Sequence, residues 1–305
     1  MPSSEAIAAM AQIRQLMASI PPFGLETDFP QLRALQKAAL PPLPHDVPMQ
    51  SLDIDGLHAE RLTPTHPGGD HTVLLVHGGG YVGNSAASVR GFAAQLASAA
   101  ACQVVSVDYR LAPEHPYPAA LEDVLTAYRW LLREGTSGQN IVLCGDSAGG
   151  GLSIATALAL RDNGEELPGA VVGVSPWIDL ALTGRSVQEK ADIDVMLRQA
   201  DLAYCAQVYA GSEVVTHPYI SPLYADLHGF PPLVIHVGSD ELLRDDSTRL
   251  AARAREAGVD VTLKVWDGLF HSFTFMAGMG IPEADQSLRD IADSIGRRWA
   301  AAAHS

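Results

Sequence analysis

Residues Asn140 to Gly151 read NIVLCGDSAGGG, a short apolar run, then Gly145-Asp146-Ser147-Ala148-Gly149, then a stretch rich in Ala and Leu. Gly-x-Ser-x-Gly between a strand and a helix is the pattern of a nucleophile elbow. The two glycines let neighbouring backbone pass close to a cramped turn, which lifts the Ser147 hydroxyl to the top of a sheet. The helix that follows leaves free N–H groups beside Ser147, where negative charge would develop. A serine alcohol is a poor nucleophile at neutral pH, so it needs a base, and the base needs an orienting acid. After an elbow of this kind the acid and then the histidine are expected downstream. Asp240 follows the apolar run Leu233 to Val237, and His271 lies in DGLFHSF after the last strand-like run. Asp245, Asp246 and Asp267 compete for the acid's place. The first two read as caps of the next helix and the third as a turn residue, so Asp240 is preferred. Of the other histidines, His236, His58 and His71 fall in or near strands, and His45, His66, His228 and His304 in polar or terminal segments. All of these read as structural or solvated, with His115 and His217 in Pro-rich loops as weaker candidates.

A tetrahedral intermediate on Ser147 would also need oxyanion donors beyond the N–H of Ala148. The stretch VHGGGYVG, Val76 to Gly83, follows an apolar run and offers Gly78 and Gly79, where a side chain would crowd the substrate. Gly80 then eases the turn, His77 anchors it, and Tyr81, Gly80 and Asp146 are candidate walls of the substrate pocket. The same stretch also reads as Gly78-x-Gly80-x-x-Gly83, a dinucleotide-binding loop with Asp108 at about the distance of a ribose-binding acid. Against that reading, two antiparallel strands and a helical segment precede the loop, and it leaves the elbow, Asp240 and His271 without a task.

The elements that must hold these residues are legible from the apolar periodicity. From about Val47 the chain alternates strand-length apolar runs with helical patterns, which predicts an α/β fold with a mostly parallel sheet covered on both faces. Eight strands are expected: Met49 to Ile54 and His58 to Leu62 as a hairpin around Asp55-Gly56, then His71 to Val76, Gln103 to Val107, Ile141 to Cys144, Ala170 to Val174, Leu233 to Val237 and Val261 to Trp266. Helices fit at Ala86 to Ala99, Pro118 to Arg133, Ala148 to Arg161, Asp246 to Ala257 and Pro282 to Ala302. Between the sixth and seventh strands the chain spends roughly fifty residues, far more than a crossover needs, and Arg198 to Tyr209 within them reads as helix. An insertion of that size predicts a cap over the carboxyl ends of the strands. The expected organisation is N-terminal cap helices over 1–45, core over 46–180, cap insertion over 181–222 and core again over 223–305.

Composition narrows the partners. The 305 residues are 47% hydrophobic and 18% charged, enough for a core without staples. A net charge of -15, with none of the 20 basic residues in a block, argues against nucleic acid and for small neutral or apolar molecules. Cys102, Cys144 and Cys205 are odd in number and widely spaced, which suits neither a disulfide framework nor a zinc site and points to a reducing, cytoplasmic setting. No metal or cofactor is implied, and no apolar run is long enough to span a membrane. Glu5 and Arg14 interrupt any signal-like start, and Met10, Ile13, Met17 and Ile20 fall on one face of a helix that packs on its own protein. A homodimer is compatible with the sequence, which says nothing more about assembly.

Taken together, HGGGY at 77–81, DYRLAPEHPYPAALED at 108–123, GDSAGGG at 145–151, SPWIDL at 175–180 and the Asp240 and His271 segments resemble the hormone-sensitive-lipase-like (bacterial family IV) esterases of the α/β-hydrolase superfamily. The resemblance implies an α/β-hydrolase fold with eight strands and a helical cap, and hydrolysis of carboxylic esters with short acyl chains. It implies a triad of Ser147, Asp240 and His271 and an oxyanion hole of Gly78, Gly79 and Ala148. The chain departs from the pattern in DELLRDD, one residue longer before its second acid, and in Ser272 after the histidine. The segment 108–123 reads as architecture, with Arg110, Glu114 and Asp123 paired beneath the site. Lactone opening or deacylation of small molecules would use the same triad, and a non-catalytic receptor of this fold would lack the histidine, which is present here.

Overall fold

A computed structural model describes residues 1–40 and 47–302. His45, His304 and the expected boundary at 45/46 lie outside the described residues. Two helices come first, α1 (Ser4–Ser19) and α2 (Phe29–Ala38). Each begins on a side chain that accepts a first-turn N–H, Ser3 from Ala6 and Asp28 from Gln31. β1 (Met49–Ile54) and β2 (Leu57–Leu62) then form a hairpin. Its two turn residues, Asp55 at φ 54° and Gly56 at φ 89°, are both left-handed, as a two-residue primed turn requires.

The rest of the chain alternates: β3 (Thr72–Val76), α3 (Arg90–Ala100), β4 (Gln103–Val107), α4 (Ala119–Arg133), β5 (Ile141–Asp146), α5 (Ser147–Asp162) and β6 (Ala170–Val174). Then come α6 (Ser186–Glu189), α7 (Gln199–Ala210), β7 (Leu233–Gly238), α8 (Arg244–Glu256), β8 (Val261–Trp266) and α9 (Pro282–Ala302). All eight expected strands are present. The helix expected from Ala86 is split, with a 3₁₀ turn over Ala86–Val89 leading into α3.

The strands make one sheet in the order β1-β2-β4-β3-β5-β6-β7-β8, antiparallel at β1, β2 and β4 and parallel thereafter. Its central strands are buried throughout, and alternate residues feed two cores. Leu74, Val76, Ile141 and Leu143 pack with α4, α5 and α8 on one face. Val73, Leu75, Val142 and Cys144 pack with α3 and α9 on the other. This is the α/β-hydrolase architecture. A parallel strand covered on both sides must be apolar at every position, which is why these runs do not alternate in sequence.

The strand order reverses between β3 and β5. After β3 the chain steps to β4 on one side, and later to β5 and beyond on the other. Ligands in such sheets bind at the carboxyl ends beside that reversal. Here Val76 pairs with Gly145, so the loop at His77 and the turn at Ser147 leave the sheet side by side. Beneath them, Arg110 pairs with Glu122 and Asp123. Glu114, expected in the same group, instead meets Arg33 of α2, whose guanidinium also donates to the carbonyls of Val82 and Ala112. The fold therefore uses Glu114 to hold an N-terminal helix against the loop at Val82.

The closeness of β3 and α5 depends on Gly149: a Cβ there would lie 2.1 Å from the Val76 carbonyl oxygen and 2.4 Å from that of His77. Both obstacles are backbone and cannot rotate away. Gly149→Ala is expected to lower stability by about 1–3 kcal/mol or more, read as a lower urea midpoint; an unchanged midpoint would contradict the packing described.

Candidate active site

Ser147 opens α5 at φ 52°, a left-handed conformation costly for a residue with a Cβ and concentrated at functional sites. A Cβ on Gly145 would meet Gly149 backbone at 2.4 Å, so the turn closes only with glycine there. Ser147 is 7% exposed, and its side faces a cavity of about 220 Å³ that His271 also lines. His271 sits in the loop after β8 and is buried.

The acid beside His271 is not Asp240. His271 Nδ1 lies 3.2 Å from Glu241 Oε1, and Glu241 is fully buried. The other carboxylate oxygen, Oε2, accepts the Ser175 hydroxyl at 2.7 Å and the Gly238 N–H at 3.0 Å. Asp240, one residue earlier, turns the other way: its Oδ1 takes Lys190 Nζ at 2.9 Å and the Ser239 hydroxyl at 3.2 Å. The loop expected from the sequence does supply the partner of His271, but through Glu241 and not Asp240. Adjacent side chains in a tight turn point apart, and Glu241 is the one that faces inward, followed by the buried Leu242 and Leu243. The acidic doublet Asp240-Glu241 is the signal that could have kept both residues in play. The other competitors have separate tasks. Asp246 accepts the N–H groups of Ile178 and Asp179, Asp245 meets Ser186 and Arg244, and Asp267 lies at the surface near the N-terminal amine.

Burial alone would lower the His271 pKa. The hydrogen bond and charge of Glu241, together with the charges of Asp194 and Asp146, outweigh it and hold the imidazole above its ordinary value. His236, by contrast, is buried and driven down to about 4. His77 is lowered by burial as well. Its Nδ1 is 2.7 Å from the Gly78 carbonyl oxygen and its ring stacks on Tyr109 at 4.2 Å, which anchors the glycine loop.

Gly78 does not offer a free donor. Its N–H is spent on Asp146 Oδ1 at 2.8 Å, and a Cβ on Gly78 would lie 2.6 Å from the other oxygen of that carboxylate. Gly79 and Gly80 line the cavity, both with positive φ, and their N–H groups take no acceptor among the described residues. Ala148, second in α5, has an N–H that the helix leaves without an intrahelical partner. Of the three expected pocket residues, Gly80 and Asp146 line the cavity and Tyr81 does not. Its φ of 64° turns the ring into the core, stacked on Tyr209 at 3.6 Å and near Trp177. Asp146 bridges the Gly78 N–H to the Ser272 hydroxyl, 3.0 Å away. Burial pushes its carboxyl up, against the opposing pull of His271, Ser272 and Gly78. The serine at 272, a departure from the family pattern, thus joins the histidine loop to the elbow.

Much of the remaining cavity wall comes from Met17 of α1, Phe23 in the loop after it, Leu32 and Gln36 of α2, the segment Met196 to Arg198, and Leu202 and Cys205 of α7. Both groups of residues expected to form a cap therefore reach the site. Among the described residues, no group of His, Cys, Asp and Glu could hold a metal ion, and no helix is long and apolar enough to cross a membrane.

A family model described as alpha/beta hydrolase fold matches residues 73–275. The chain is 43% identical over 213 residues to an acetyl-hydrolase of Streptomyces hygroscopicus, covering 70% of this chain and 71% of that protein. It belongs to the hormone-sensitive-lipase-like esterases of the α/β-hydrolase superfamily. Among solved structures, an esterase from the bacterial hormone-sensitive lipase family superposes with a TM-score of 0.90 at 38% identity, over 98% of this chain and 100% of that one. EstE5 soaked with p-nitrophenyl butyrate superposes with a TM-score of 0.91 at 34% identity, over 98% and 99%. Within this family fold the glycine loop serves hydrolase geometry, and the dinucleotide reading falls away.

Cys205 lines the cavity but is no rival nucleophile, since burial pushes its thiol up to about 12. Cys102 is likewise pushed to about 12, and Cys144 also upward. At pH 8 the folded protein should leave all three cysteines unreactive toward a disulfide reagent, and unfolding in guanidinium should expose all three. Rapid modification of one thiol in the folded state would contradict this.

Proposed function

We propose that the chain hydrolyses small carboxylic esters through a covalent acyl-enzyme on Ser147. The observation that carries this reading is that Ser147 and His271 face one cavity, while Glu241 holds the far side of the imidazole. Ser147 Oγ attacks the ester carbonyl as His271 Nε2 takes its proton, and Glu241 keeps the ring in the tautomer with Nδ1 protonated. The N–H groups of Gly79, Gly80 and Ala148 receive the oxyanion. Their backbone is fixed before substrate arrives, so they add transition-state stabilisation without reorganisation. His271 then gives its proton to the departing alcohol, and water repeats the path to release the acid and restore Ser147.

The cavity also supports a preference among esters. Apolar side chains including Met17, Phe23, Leu32, Met196, Leu197 and Leu202 line part of it, and about 220 Å³ suits a short acyl chain better than a long one. Each methylene buried there gains ~0.8 kcal/mol, and methylenes that do not fit gain nothing. The resemblance to an acetyl-hydrolase, and to an esterase soaked with a butyrate ester, points the same way.

With p-nitrophenyl esters, kcat/KM should be highest at two to four acyl carbons and at least roughly tenfold lower at twelve. Ser147→Ala should remove turnover; serine-independent hydrolysis, or a maximum at long chains, would contradict the reading. Glu241→Gln should lower kcat by roughly 10²–10⁴-fold, as loss of a triad acid does, whereas Asp240→Asn should stay within roughly fivefold of wild type, because Asp240 bonds Lys190 and Ser239 and not His271. Equal losses in the two variants would overturn the assignment. Protonated His271 cannot accept the serine proton, so activity should fall as pH drops through its pKa. Because that pKa is raised, the acid limb of kcat/KM should lie above the ordinary ~6.5, and a limb at or below that value would contradict the geometry.

A further inference from the structure

The inserted segment between β6 and β7 carries Ser186, Lys190 and Asp194, four residues apart, and each touches the loop that bears Glu241. The Ser186 hydroxyl donates to the Leu242 carbonyl at 2.6 Å and accepts the Asp245 N–H at 3.1 Å. Lys190 pairs with Asp240 at 2.9 Å. Asp194 reaches deepest: Oδ2 accepts the N–H of Leu242 at 2.8 Å, and Oδ1 accepts those of Met196 at 2.8 Å and Leu197 at 2.9 Å.

Asp194 is only 8% exposed. A carboxylate so buried is costly to keep charged unless its oxygens are satisfied, and here three backbone N–H groups satisfy them. Those donors belong to two functional parts. Met196 and Leu197 line the cavity, and Leu242 is the neighbour of Glu241. Leu242 is held from outside its loop at both backbone groups, the N–H by Asp194 and the carbonyl by Ser186.

We propose that Asp194 is a positioning residue for the ester-hydrolysing site: one buried carboxylate fixes the backbone beside Glu241 and ties it to the cavity wall at Met196 and Leu197. The inference rests on the reading of Glu241 as the acid of the triad. The charge of Asp194 also reaches His271, which is faced by Glu241 through a hydrogen bond and by Asp194 and Asp146 through space, all three favouring the imidazolium. Asp194 therefore acts on His271 twice, through the placement of Glu241 and through the local field.

The two actions separate experimentally in the full chain with p-nitrophenyl acetate. In Asp194→Asn one of the two acceptor oxygens becomes an amide nitrogen that cannot accept, so either the Leu242 N–H or those of Met196 and Leu197 lose their partner, and the charge is gone. The expected result is a kcat lower by roughly 10- to 100-fold, KM within roughly threefold, and an acid limb moved to lower pH. Asp194→Glu keeps the charge but displaces it by a methylene, so kcat should fall while the limb stays near that of wild type. A lower melting temperature in Asp194→Asn, with kcat within roughly threefold and an unmoved limb, marks a merely structural role and overturns the proposal. If Asp194→Asn does not fold, Asp194→Glu decides alone, since wild-type kcat in it contradicts the proposal. Absence of serine-dependent turnover in wild type would instead refute the esterase reading.

Discussion

A carboxylate buried beside an imidazole is the constraint around which the rest of this molecule is arranged. Glu241 is fully buried, and an isolated charge there would be prohibitive. The fold makes it tolerable by aiming three donors at it: His271 from the loop after β8, the Ser175 hydroxyl from the end of β6, and the Gly238 N–H from the end of β7. Ser175 in turn accepts the N–H of Ser272, next to the histidine, and the Ser272 hydroxyl bonds Asp146, which holds Gly78. One chain of hydrogen bonds therefore runs from the buried acid to the glycine loop. Removing any link would leave a buried polar group unsatisfied, the costly side of hydrogen bonding.

The same chain explains how the glycines divide their work. Gly78 spends its N–H on Asp146 and so fixes the loop. Gly79 and Gly80, both with positive φ and next in line, line the cavity that Ser147 also lines, and their N–H groups take no acceptor among the described residues. Because Gly145 and Gly149 allow β3, β5 and α5 to approach within backbone contact, the glycine loop and Ser147, which the proposed mechanism needs together, leave one rigid corner of the sheet. The cavity's other walls come in large part from α1, α2 and the segment leading into α7; Arg33 ties α2 to the loop after β3, and Asp194 ties the segment before α7 to the loop after β7.

Much of this was legible in the sequence. The eight strands announced themselves as apolar runs because both faces of a parallel sheet are covered, and the elbow announced itself because only glycine fits at Gly145 and Gly149, two residues to each side of Ser147. What the sequence could not convey was the direction of side chains within a turn. Asp240 and Glu241 are equally acidic and adjacent, and only the backbone after β7 determines which faces inward. Gly78 and Gly80 are chemically identical in the sequence, and the partner that occupies the Gly78 N–H lies far along the chain at Asp146. Tyr81 differs from its expected place for a related reason: its left-handed backbone sends the aromatic ring into the core against Tyr209, away from the cavity.

The central claim is that Glu241, and not Asp240, holds His271. A proton NMR spectrum of the folded protein tests it directly, because an imidazole Nδ1–H shared with a buried carboxylate resonates far downfield of the backbone amides. The account requires such a resonance in the wild type and in Asp240→Asn, and its loss in Glu241→Gln. A resonance that survives Glu241→Gln and disappears in Asp240→Asn would contradict it.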